Sequence, residues 1–170
     1  EGLRGLKPDL TLSYLHDMAE WGLAETGMQP HLNPGLMDAT ELATLRKVSV
    51  SMGIMLESAS PRLLEKGMPH YGSPDKDPAL RLETIRLAGE AKIPFTSGIL
   101  IGIGETRRER IESLLTLRAA NVDNGHIQEI IVQNFRAKPE TLMANAPEPD
   151  LNELLWTLAL ARIIFGPKMN

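Results

Sequence analysis

Amphipathic, capped stretches alternate with short apolar ones along this chain, and that rhythm constrains the fold more than any other feature. Asp38-Ala39-Thr40-Glu41 and Thr106-Arg107-Arg108-Glu109 read as capping boxes, and each precedes leucines or isoleucines at helical spacing. Asp150-Leu151-Asn152-Glu153 reads as a third, opening a helix that should stop at Gly166-Pro167. Asp77-Pro78 reads as an N-cap with proline in the first turn, and an earlier helix is expected over about Leu10 to Trp21. Between them lie β-forming runs at Val48–Leu56, Ile93–Ile101 and Ile127–Val132, with a weaker one over Ala24–Leu32 that contains Pro30. These runs lack clean period-two alternation, as expected of strands covered on both faces of a parallel sheet. Successive strand starts are about 25–45 residues apart, the scale of a βα unit. The chain is therefore read as α/β, a barrel or an open sheet. A full (β/α)₈ barrel takes about 250 residues, so 170 residues hold roughly half of one.

Composition narrows the function. A net charge of −4, no basic block and 4% aromatics argue against a nucleic-acid surface. No apolar run approaches the roughly 18 residues of a membrane span, and Glu1–Leu6 shows no signal-peptide pattern, so a cytoplasmic enzyme is expected. The cysteine count is zero, which excludes disulfides, a thiol nucleophile and thiolate metal ligands within these residues. The four histidines have no paired ligand spacing, so no metal is assigned to them.

Parallel α/β folds place ligands at the carboxyl ends of their strands. Here those ends read His31-Leu32-Asn33-Pro34-Gly35, then Glu57, then Gly102-Ile103-Gly104-Glu105, then Gln133-Asn134-Phe135-Arg136. Polar βα loops are also ordinary surface, so the pattern alone leaves both readings open. Gly102-x-Gly104 puts Arg107 where a dinucleotide fingerprint needs its third glycine, and no Gly-Lys-Ser/Thr exists for a phosphate loop. The turn is either structural or a place where backbone approaches a flat ligand. Glu57 either accepts two hydrogen bonds from a vicinal diol or stabilises a helix opening at Ser58–Pro61. Arg81 is either a solvated surface group or a bidentate grip on a carboxylate. The long non-periodic stretch from Gly67 to Asp77 is expected to be functional or mobile.

Gly98-x-Leu100-x-Gly102-x-x-Glu105 resembles the adenine-side motif of radical S-adenosylmethionine (SAM) enzymes. The longer runs Pro30–Gly35, Ser51–Glu57, His70–Lys76, Ile93–Thr106 and His126–Arg136 resemble the family of 7,8-didemethyl-8-hydroxy-5-deazariboflavin (FO) synthases, either the stand-alone subunit or the equivalent half of the bifunctional enzyme. That resemblance covers nearly the whole chain. It implies a partial (β/α) TIM-like barrel of the radical SAM type, with about four βα units present in a single domain over residues 1–170. The implied reaction uses a reduced 4Fe–4S cluster to cleave SAM. The resulting radical acts on 5-amino-5-(4-hydroxybenzyl)-6-(D-ribitylimino)uracil, and ring closure with loss of ammonia gives the deazaflavin. The implied partner is the radical SAM subunit, or fused domain, that forms this adduct.

The resemblance assigns Glu57 to the SAM ribose and Arg81, within Arg81-Leu82-Glu83-Thr84, to the SAM carboxylate. Gly102, Ile103 and Gly104 would line the adenine. His31, Asn33, Gln133, Asn134 and Arg136 would face substrate or SAM, and the His70–Lys76 loop would be a lid. No catalytic acid or base is identified. The family's C-x₃-C-x₂-C cluster loop and its motif for the SAM amino group are not found here. Both are expected upstream of Glu1, making the chain a fragment truncated at both ends and inactive alone. Other radical SAM enzymes, including the adduct-forming partner and biotin-synthase-like enzymes, remain the nearest alternative, followed by a phosphate-binding aldolase-like barrel or a non-catalytic scaffold.

Overall fold

The computed structural model describes residues 8–170, with side chains from Thr11 onward; the first residues, including Glu1–Leu6, lie outside it. Four parallel strands pair in the order β1-β2-β3-β4. They are β1 (His31–Leu32), β2 (Ser51–Gly53), β3 (Phe95–Ile101) and β4 (Ile127–Asn134). Helices α1 (Pro8–Thr26), α2 (Ala39–Leu45), α3 (Pro78–Glu90), α4 (Arg107–Val122) and α5 (Leu151–Phe165) flank and connect them. Sequential order with parallel pairing is the topology of a partial (β/α) barrel, as expected.

The helix starts form as the sequence indicates. Asp38 and Thr106 make full capping boxes with Glu41 and Glu109. Asp77 accepts the Ala79 N–H at 2.9 Å, with Pro78 in the first turn. Asp150 accepts the Glu153 N–H at 2.8 Å, yet the Glu153 carboxylate does not turn back to close a box; it reaches across to Arg107 and Arg110 on α4. Strand bounds depart further. The Ala24–Leu32 run is mostly helix and irregular chain, because α1 extends to Thr26, leaving two residues of strand. β2 is three residues long, and pairing resumes only at Glu57, which bridges Ile99. Ser58–Pro61 leads into a short 3₁₀ turn over Pro61–Leu64.

β3 carries the core. Phe95, Ile99 and Ile101 are buried and pack with Met52, Ile54, Leu56, Ile85, Leu114 and Leu117 beneath the helices. Thr96, Gly98 and Leu100 fall on the opposite face by strand alternation. β4 is not covered on both sides as expected. Ile130 and Val132 pack against the core cluster, while Glu129, Ile131 and Gln133, which pair with Thr96, Gly98 and Leu100, are exposed. A register shift between Phe95 and Thr96 sets this pairing. At mid-strand a Cβ on Gly98 would stand 2.1 Å from the Ile131 carbonyl oxygen, so only glycine permits the two strands to approach so closely.

Candidate functional site at the strand rim

Glu57 and Arg81, far apart in sequence, meet at the end of β2. The Glu57 backbone is held in the sheet by bonds from its N–H to Gly98 and from Leu100 N–H to its carbonyl, at 3.0 and 2.9 Å, and it takes a left-handed φ of 62°. That turn swings its side chain to the loop that follows. Lys76 Nζ lies 2.6 Å and Arg81 Nη1 3.3 Å from Oε1, and His70 Nε2 lies 3.1 Å from Oε2. Burial alone would push this carboxyl up. Hydrogen bonds from His70 and Lys76 and the charges of Lys76 and Arg81 outweigh it and hold the group at about 2.

Arg81 is not a solvated surface group. Its side chain is 3% exposed. Its Nε donates to the Asp75 carbonyl at 2.8 Å, its Nη1 donates to the Met55 carbonyl, and its Nη2 lies 3.6 Å from the Asp75 carboxylate. The loop from His70 to Lys76 is thus fastened over Glu57 rather than extended into solvent.

The glycine turn after β3 is built by Glu105. Its two carboxylate oxygens accept the N–H groups of Gly102 and Ile103, each at 2.8 Å. Gly102 and Gly104 both need positive φ, 89° and 100°. Their surroundings differ. A Cβ on Gly102 would meet Pro149 Cδ at 2.5 Å, whereas one on Gly104 would meet only Met68 Cε at 3.6 Å. Gly102 therefore seats the segment before α5, and Gly104 faces an opening.

That opening is a cleft of about 490 Å³ lined by Met68, Tyr71, Gly102, Ile103, Gly104 and Met143, among others. A second cleft, of about 590 Å³, is lined by Leu100, Gln133, Asn134, Phe135, Arg136 and Lys138, with Leu142 and Met143 again on its wall. The Leu142–Met143 segment stands between the two. Gln133, Asn134 and Arg136 are therefore brought to the same rim as the glycine turn. Gln133 and Asn134 prove to be the last residues of β4, and Arg136 is ion-paired with Glu148. His31 stands at an earlier level of the sheet. His31 pairs with Ser51 and its Nδ1 lies 2.8 Å from Ser51 Oγ, one residue before the level at which Met52 pairs with Phe95, whereas Glu57 pairs with Ile99.

Sequence reasoning placed His70 and Lys76 only within a loop, and missed Arg110, Glu153 and Leu142–Met143. Arg110 follows the capping box on the inward face of α4, which periodicity could have flagged. Nothing in Lys138–Met143 distinguishes it from an ordinary linker.

No protein-family model matches the chain. Over 163 residues, 95% of its length, it is 53% identical to the FO synthase of Mycobacterium tuberculosis (strain ATCC 25618 / H37Rv), of which it covers 19%. Over 164 residues it is 46% identical to the 7,8-didemethyl-8-hydroxy-5-deazariboflavin synthase of Methanocaldococcus jannaschii, covering 46% of that protein. The chain is a relative of the FO synthases. It spans less than half the length of these curated relatives, in the bacterial case about a fifth. Among solved structures it superposes on methylornithine synthase (PylB) with a TM-score of 0.71 at 19% identity, covering 96% of this chain and 44% of that one. It superposes on HydG, a maturase of the [FeFe]-hydrogenase, with a TM-score of 0.76 at 17% identity, covering 94% of this chain and 36% of that one. At these identities the likeness establishes the fold alone.

Proposed function

We propose that this chain is the central stretch of the barrel of an FO synthase, whose parent protein closes the deazaflavin ring on the hydroxybenzyl-ribitylaminouracil adduct with loss of ammonia. The observation that carries this reading is 46–53% identity, over nearly the whole chain, to both a bacterial and an archaeal FO synthase. The rim residues support it. The cleft beside Gly104 is walled by apolar groups and an open glycine face, which suits the flat base of SAM. Glu57, held ionised, suits the ribose. SAM supplies a primary-carbon radical when bound, and the protein's task is to orient it and keep out water and stray hydrogen donors.

These residues contain no thiolate. On this reading the 4Fe–4S ligands come from elsewhere in the parent protein. Gln133, Asn134 and Arg136 line the second cleft, where a polar heterocycle with a ribityl chain would sit between Leu100 and Leu142. Among the described residues no helix is long and apolar enough to cross a membrane, and the reading places the parent enzyme in the cytoplasm. The partner is the adduct-forming radical SAM subunit or a fused domain.

The test uses the full-length protein that carries this segment, reconstituted without oxygen and given SAM, a reductant and either the adduct or free tyrosine with the ribitylaminouracil. Deazaflavin formed from the adduct is the expected result. Product from free tyrosine alone, or no cleavage of SAM, overturns the assignment.

A further inference from the structure

Hydrogen-bond capacity at Glu57 raises a difficulty for a diol bound by the carboxylate alone. A carboxylate offers about four lone-pair sites. Oε1 already faces Lys76 and Arg81, and Oε2 faces His70. One acceptor site is left, whereas two hydroxyls donating together need two. Arg81 does not give way readily, being 3% exposed and bound to Met55 and Asp75 as well. Lys76 is different. Its side chain is 23% exposed, the most open of the three donors, and an ammonium carries three N–H groups of which Glu57 takes one.

We propose that Lys76 is the donor half of the diol site: one hydroxyl of the ligand donates to Glu57 Oε2 and its neighbour accepts from Lys76 Nζ. This deepens the SAM reading above and rests on it. A vicinal diol suits such a pair because each hydroxyl both donates and accepts, so an acceptor and a donor side by side match two adjacent oxygens without breaking the Lys76–Glu57 bond. Arg81 and His70 then hold Glu57 in place from its buried side. The 3₁₀ turn over Pro74–Lys76, held by the Lys76 N–H to Ser73 carbonyl bond at 2.9 Å, fixes where the lysine starts.

The test is a binding cycle on the full-length protein, read by calorimetry with S-adenosylhomocysteine and its 2′-deoxy and 3′-deoxy analogues. The wild type should prefer the intact diol. In Lys76→Met that preference should fall roughly tenfold, the equivalent of about 1.4 kcal/mol, for one of the two deoxy analogues, and Lys76→Arg should restore part of it. A lysine that only supports the loop would weaken all three ligands equally and leave the preference unchanged, which overturns the proposal. Thermal unfolding of each variant identifies a misfolded one, and Lys76→Arg then carries the test. Should the wild type bind no adenosyl ligand, the SAM reading itself fails. Binding with an unchanged diol preference in the variants removes only the role of Lys76.

Discussion

Arg110 donates to Glu105 at 2.6 Å with both side chains nearly sealed from water, 8% and 2% exposed. Glu105 in turn holds the N–H groups of Gly102 and Ile103, and Arg110 also reaches Glu153 at 2.6 Å. The glycine turn is thus tied through two side chains to α5. Removing one partner of a buried pair leaves the other charge uncompensated, at roughly 3–5 kcal/mol. Arg110→Met should lower stability on that scale in urea unfolding. Arg110→Lys should recover only part, because an ammonium does not span two carboxylates as a guanidinium does. A loss within about 0.5 kcal/mol, the range of an ordinary surface change, would show that the turn does not depend on this tie.

Glu57 gives a pH signature. Its carboxyl sits at about 2 in the folded protein against a usual 4.5. A depressed folded value means the ionised form is bound more tightly in the fold. Its stabilisation is complete above about 4.5 and disappears as pH falls toward about 2. Acid unfolding followed in that window should be steeper for the wild type than for Glu57→Gln. Equal slopes would place the three donors farther from the carboxylate in solution.

The two rim glycines should respond unequally. Alanine at either meets an unfavourable positive φ, costing about 1–2 kcal/mol. Gly102→Ala adds a collision with Pro149, whereas Gly104→Ala meets only ordinary contact with Met68. Gly102→Ala should therefore be the less stable variant by thermal melting. Gly104→Ala should stay folded but weaken adenosyl binding, since its methyl would enter the cleft. The opposite ranking of stabilities would contradict the seating of Pro149 on Gly102.

Most of the architecture was legible because helix caps and apolar runs are local signals. Asp38, Asp77, Thr106 and Asp150 mark helix starts by side-chain chemistry that needs no tertiary context. Strand limits were less so. β1 contracts to two residues because α1 continues through Ala24–Thr26, and β4 gains Gln133 and Asn134 because pairing with Leu100 and Ile101 outweighs their low strand preference. At the rim, Glu57 and Gly102–Gly104 stood out by type and position. The partners of Glu57 did not, since His70, Lys76 and Arg81 converge only once the loop folds back. Gly102 shows the same limit: it lines the cleft beside Gly104, but nothing in its motif foretold that Pro149, distant in sequence, also packs against it.

At Gly98 main chain meets main chain, with no room even for a methyl group. On β3 this position therefore has no rotamer to adjust, and the side chain opposite it is Ile131 of β4. Any adaptation of this face to a differently shaped neighbour falls to Thr96 and Leu100 along the strand and to Ile131 across the seam.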